Sequence, residues 1–200
     1  VKIVTTAEGG MAVTNDARLA EKMNLLRSHG ITRDPALMTH EPDGPWYYQQ
    51  VDLGFNYRMT ELQAALGVSQ MQRLDAFVAR RHELAERYNQ LLADLPIVLP
   101  WQHPDSYSGL HLYVIRLKLG EIRASHRELF ESLREQGIGV NLHYIPVHTQ
   151  PFYEAMGFAP DDFPESMRYY NEAISIPMYH GLTFEQQDAV VGALKQALSV

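Results

Sequence analysis

The chain has 200 residues, enough for one sizeable domain or two small ones, and 46% of them are hydrophobic, so a packed core is possible. It carries 24 acidic against 17 basic side chains, a formal net charge of -7, which argues against a general nucleic-acid binder or a protein of anionic membrane surfaces. There is no cysteine, so disulfides and thiolate zinc sites are excluded, and the absence fits a reducing, cytoplasmic setting.

No apolar run approaches the ~20 residues of a membrane span, and no signal peptide is expected. The chain opens on Val1-Lys2-Ile3-Val4 without an initiator Met and reads as a piece of a longer protein. Its first stretch suggests two short extended runs, Lys2 to Thr6 and Met11 to Thr14, around a turn at Ala7-Glu8-Gly9-Gly10. Asn15 or Asp16 then caps a helix to about Ser28, with Leu19, Met23, Leu25 and Leu26 as its apolar stripe and Gly30 as its stop. Residues 31 to 55 are rich in Pro and Gly and hold Trp46, Tyr47 and Tyr48, a long loop whose aromatics suggest packing on a partner subunit or a ligand.

Thr60 and Gln63 make a capping box that opens a long helical pattern, expected to bend near Leu74-Asp75 and to end before Pro96 and Pro100. Strand and helix then alternate. His111 to Lys118 reads as a strand, Ser125 and Glu128 cap a helix to about Gln136, and Val140 to Tyr144 reads as a strand. Short helices are expected at Pro151 to Met156 and Phe163 to Asn171, then an apolar run Ala173 to Ile176. Thr183 and Gln186 cap a terminal helix to about Leu198. The order fits a small α/β domain, with a mainly antiparallel sheet, attached to the tail of a larger one.

Three segments carry candidate chemistry. Lys2 lies in an apolar run beside a Gly-containing turn, where partial desolvation would leave its amine neutral and nucleophilic; a solvated terminal charge is the plainer alternative. Asn56 and Arg58 precede the helix opened by Thr60, and helix N-termini favour anions. A simple turn and cap, with Arg58 paired to Glu61, explains the same residues. His143, Tyr144, His148 and Gln150 leave a strand into a Pro-bounded loop. That pattern suits polar ligand contacts or a hydrogen-bonded loop better than a metal site, which lacks clustered carboxylates. No GxSxG, HExxH, Walker or GxGxxG motif is present.

Taken in order, VKIVTTAEGGMAVTND with RSHGI, then GFNYRMTELQAALGVSQMQRLDAFVARR, then GVNLHYIPVHTQPFY with YYNEAISIPMY and GLT, resemble the DegT/DnrJ/EryC1/StrS sugar aminotransferases. The wording is nearest the branch that serves pseudaminic-acid synthesis. The resemblance implies an α/β, aspartate-aminotransferase-like fold (fold type I of the pyridoxal-phosphate enzymes). It also implies homodimers with shared active sites and pyridoxal 5'-phosphate as cofactor. Lys2 aligns with the lysine that binds the cofactor covalently, and Asn56 with the residue that reaches its phosphate from across the dimer. Arg58, His143 and Tyr144 fall at nucleotide-sugar contacts. Arg33 and His148, with Arg27 and His29, are further substrate-binding candidates for which a structural role serves as well, and Tyr57 reads as packing. Residues 1–78 would close a large cofactor domain and 79–200 would form the small one.

The implied reaction moves an amino group from glutamate to C4 of a UDP-linked 4-keto-6-deoxy-2-acetamido sugar. The half of the family fold that precedes the lysine is absent from this chain, so negligible activity is expected of these residues alone. Neither a metal nor a nucleic-acid or membrane partner is expected. Three alternatives stand beside this reading: a sugar dehydratase of the same family, disfavoured because those members carry His in place of Lys2, a non-catalytic regulatory domain, and a metal-binding module on His143 and His148.

Overall fold

The computed structural model describes residues 2–198. The chain divides into two compact units, one of residues 4–72 and one of residues 73–198 together with 2–3.

In the unit of residues 4–72, neither extended run expected near the start forms a strand. The threonines satisfy the local backbone instead: Ala7 N donates to Thr5 Oγ1 at 3.1 Å, and Thr6 Oγ1 donates to the Glu8 carbonyl at 3.0 Å. Side-chain bonds of this kind compete with a ladder, and a strand needs a second strand to take its main-chain groups. Helix α1 (Ala17–Leu26) begins as anticipated, with Asp16 Oδ1 accepting from Arg18 N at 2.9 Å and Leu19 N at 3.3 Å. It stops where Gly30 turns left-handed, at φ 67, and donates back to the Leu25 carbonyl at 2.9 Å.

Strands β1 (Ile31–Thr32) and β2 (Gln49–Gln50) pair antiparallel and close the long aromatic loop. Gln49, buried, organises that loop from within. Its Oε1 accepts from Thr39 N at 2.7 Å, and its Nε2 donates to the His40 carbonyl at 3.2 Å and to Tyr47 Oη at 3.0 Å. Helix α2 (Glu61–Met71) carries the complete capping box of Thr60 and Gln63 but buries none of its own side chains. Met11, Val13, Leu53, Tyr57, Leu62 and Val68 are all more than 60% exposed, an apolar load that a folded protein ordinarily covers.

The long helical pattern divides at Gln72-Arg73, where Arg73 leaves helical geometry at φ -110 and ψ 1, one residue before the expected bend. Helix α3 (Leu74–Leu91) opens the second unit. Strands β3 (Ile97–Val98), β4 (Tyr113–Leu117) and β5 (Ala173–Ile176) follow, forming an antiparallel sheet in the order β3-β4-β5. On β4, Tyr113, Ile115 and Leu117 are buried and alternate with half-buried Val114 and Arg116, the period of a strand with one face on the core. Helices α4 (His126–Glu135) and α7 (Phe184–Leu198) start at the anticipated capping residues Ser125 and Thr183, and α7 packs on α3 and α4. Short α5 (Pro151–Glu154) and α6 (Pro164–Glu172) lie between them in sequence.

Leu84 and Tyr88 of α3, Ile115 of β4, Leu133 of α4, Ile174 of β5 and Leu194 of α7 are fully buried together. A filled cluster of this kind supplies the main cohesion of the unit. The strand expected at Val140 to Tyr144 shrinks to one bridge, Asn141 to Ser175 beside β5. Asn141 Oδ1 accepts from Leu142 N at 2.8 Å, and Pro146 has no N–H to donate, so the segment leaves the ladder early. Among the described residues no helix is long and apolar enough to cross a membrane.

Candidate active site

In the second unit, the exposed amine of Lys2 lies 3.4 Å from Nε2 of His111. His111 sits two residues before β4, in a loop held from beneath by Arg81 of α3. Arg81 is only 4% exposed. Its Nη1 donates to the carbonyls of Leu110 at 3.0 Å, His111 at 3.2 Å and Met178 at 3.0 Å. One guanidinium nitrogen therefore joins α3 to the chain entering β4 and to the chain leaving β5, while Nε is buried with no hydrogen-bond partner among the described residues.

His143 comes from the segment that bridges to β5, and its Nδ1 is 2.8 Å from Oγ of buried Ser175. The Tyr144 ring meets the His143 ring edge-on, with centroids 4.6 Å apart, and stays largely exposed. Burial lowers the pKa of both His111 and His143, and the nearby Lys2 charge lowers each further; Arg81 and His143 add to the effect at His111. Both imidazoles are thus biased neutral. A lysine amine beside neutral imidazoles can attack a carbonyl and pass a proton without a competing carboxylate.

The residues expected to bind anions lie in the other unit. Asn56 Oδ1 accepts from Arg58 N at 3.4 Å just ahead of α2, while the Asn56 backbone bridges to Ser28. Both side chains are exposed, and no Arg58–Glu61 ion pair forms among the described residues. Tyr57, read as packing, is 76% exposed with its ring 5.7 Å from Phe55. The Arg27 carbonyl accepts from Tyr57 N at 2.9 Å, and His29 N donates to the Phe55 carbonyl at 3.0 Å. The backbone at these two positions therefore ties the end of α1 to the segment before α2. Arg33 lies over the Tyr48 ring at 6.0 Å.

His148 is 8% exposed, 3.3 Å from the Pro160 carbonyl through Nε2 and 4.8 Å from the Phe163 ring. That is the environment of a packing residue. No group of three or more His, Asp or Glu that could hold a metal occurs among the described residues. The sequence reading missed His111, Arg81 and Ser175. The first was visible only as the start of an apolar strand, and its contact with Lys2 crosses 109 positions.

The family model for the DegT/DnrJ/EryC1/StrS aminotransferases matches residues 1–195. The chain is 35% identical over 197 residues to the spore coat polysaccharide biosynthesis protein SpsC of Bacillus subtilis, covering 97% of this chain and 50% of that protein. Among solved structures it resembles Helicobacter pylori PseC, an aminotransferase involved in the biosynthesis of pseudoaminic acid. The TM-score is 0.86 at 30% identity, over 100% of this chain and 51% of the other. It also resembles the PMP-form of a putative sugar aminotransferase of Streptococcus pneumoniae, with a TM-score of 0.84 at 25% identity over 97% of this chain and 50% of that one. The chain spans about half the length of these relatives. Its fold is that of the aspartate-aminotransferase-like, fold type I enzymes, and the chain belongs to the DegT/DnrJ/EryC1/StrS aminotransferase family.

Proposed function

We propose that the protein carrying this chain is a pyridoxal-phosphate-dependent aminotransferase that moves an amino group from glutamate to C4 of a UDP-linked 4-keto-6-deoxy-2-acetamido sugar, as in pseudaminic-acid-type synthesis. The observation that carries the reading is an exposed lysine amine 3.4 Å from a neutral-biased imidazole, in a chain matched by the family model from end to near end. The residue types suit the cofactor. Lys2 offers an amine to its aldehyde, and the Asn56 amide of a second copy, beside the start of α2, would offer a donor to its phosphate from across the dimer. When bound, pyridoxal phosphate supplies an electron sink for the pair left on the donor carbon.

The chain's own residues then have distinct tasks. Lys2 Nζ takes the proton from the α-carbon of glutamate and later delivers one to the sugar carbon, as base and then acid. Arg58 offsets the diphosphate charge, which a net-acidic protein must do locally. His143 and Tyr144 contribute hydrogen bonds rather than charge, because burial, with the Lys2 charge, biases His143 toward its neutral form. Arg33 and His148 are secondary candidates for sugar-nucleotide contact, the latter through the loop it anchors.

Residues 1–78 are proposed to complete a large cofactor domain and 79–200 to form the small one. The apolar side chains exposed on residues 4–72 are ones that the rest of such a large domain or a partner copy would cover, and a cytoplasmic homodimer that shares its active sites is part of the proposal. Borohydride reduction of the complete gene product with pyridoxal phosphate, followed by peptide mapping, tests the assignment. The reduced cofactor is expected on Lys2; label on another lysine, or on none, overturns it.

A further inference from the structure

We propose that His111 is the positioning residue of the reacting lysine, its Nε2 accepting a hydrogen bond from the Lys2 amine and fixing where that amine points. The inference rests on Lys2 being the lysine that reacts.

Three features of the molecule set His111 apart from the other histidines. First, five of the others, His82, His103, His126, His143 and His148, spend a ring nitrogen on their own surroundings. His82 lies 2.8 Å from the Ser108 carbonyl, His126 2.9 Å from that of Ala173, and His148 3.3 Å from that of Pro160. His111 Nε2 instead faces Lys2, while Nδ1 is buried with no hydrogen-bond partner among the described residues. Leaving a buried polar nitrogen unpaired costs about 1–3 kcal/mol, and such exceptions call for an explanation. A fixed orientation toward Lys2 is one. With a lysine donor on Nε2, the imidazole proton resides on Nδ1.

Second, the loop is built to hold that ring. The buried Arg81 guanidinium clamps the carbonyls of Leu110, His111 and Met178, and Leu110 adopts a left-handed φ of 47. A branched residue in that region is strained and persists where its surroundings over-determine it. Third, the side chains whose charge acts on the ring are Lys2, Arg81 and His143. None of these is a carboxylate, so nothing in the cluster rewards protonation of His111. Once acid does protonate it, an imidazolium faces an ammonium and the hydrogen bond is replaced by repulsion. Lys2 is then no longer held.

The test uses the complete gene product. Without cofactor, the His111 titration followed by proton NMR is expected to move to higher pH in Lys2→Met, because a lowering charge is removed. An unmoved titration overturns the contact. With pyridoxal phosphate, the rate at which saturating glutamate bleaches the visible band is followed against pH. His111→Phe is expected to lower that rate by about tenfold or more with little change in the half-saturating glutamate concentration. His111→Gln, which keeps a polar atom near Nζ, is expected to recover most of the rate and to lose the acid limb of the wild-type profile. Equal rates and an unchanged acid limb in both variants overturn the positioning role. If wild-type protein shows no band or no bleaching, the reading of Lys2 as the reacting lysine falls first, and the NMR result identifies that failure as separate from the contact.

Discussion

Replacing Arg81 with Met removes the link between fold and site while keeping an unbranched, shorter side chain along the same apolar stem. Arg81 donates from one nitrogen to three carbonyls, at 3.0, 3.2 and 3.0 Å, and is 4% exposed. A hydrogen bond to a charged group contributes about 1.5–3 kcal/mol when made alone. Three sharing one donor nitrogen contribute less than their sum, and burial of a guanidinium without a carboxylate partner offsets part of the gain, as its lowered pKa reflects. The net loss expected for Arg81→Met is about 3 kcal/mol, more than a hundredfold in the folded-to-unfolded ratio. Arg81→Lys, which keeps a charged nitrogen with N–H donors on a shorter side chain, is expected to lose about a third of that. Urea unfolding of the cofactor-free protein, followed by far-UV circular dichroism, measures both. An Arg81→Met midpoint equal to or above that of wild type would show that the buried charge costs as much as its bonds return, and would refute the clamp.

Other consequences follow from single contacts. Gly30→Ala places a Cβ 1.9 Å from the Asp52 carbonyl oxygen at a φ of 67, so residues 4–72 are expected to lose well over ~1 kcal/mol, read as early loss of amide protection across α1 and β2 in hydrogen exchange. Leu133→Ala opens a cavity beneath α4 at a fully buried position and is expected to cost about 2–5 kcal/mol in the same urea assay. The pKa values of His111 and His143 are lowered from 6.5 in the folded chain, so the unfolded chain binds protons that the folded one refuses. Stability is therefore full above about pH 6.5 and falls as the pH drops toward the folded values. Comparing urea midpoints at about pH 7.5 and 5.5 should show the fall, and His111→Gln with His143→Gln should remove it; the lowered carboxylates Glu128 and Glu185 start from 4.5 and titrate below that window.

The parts legible in the sequence were those fixed by neighbours in the chain. Thr60 with Gln63, Ser125 with Glu128 and Thr183 with Gln186 each cap a helix, because the pairing spans only three residues. Asp16 and Gly30 bound α1 for the same reason. The strand expected at Val140 to Tyr144 shrinks to one bridge, and the extended runs Lys2 to Thr6 and Met11 to Thr14 pair with no strand, since a strand is completed by a distant partner that local alternation does not reveal. The candidate site divides in the same way. Lys2, Asn56 and Arg58 carried local or family signals, whereas His111, Arg81 and Ser175 acquire meaning only when β4, β5 and α3 assemble around them.

The central claim is that Lys2 binds pyridoxal phosphate and works on an amino donor. The most direct measurement is the absorption spectrum of the complete gene product with pyridoxal phosphate, beside its Lys2→Ala variant, before and after glutamate is added. A visible band that glutamate bleaches, and that the variant never shows, is the result expected. A wild-type protein that shows no band with the cofactor in excess would contradict the account.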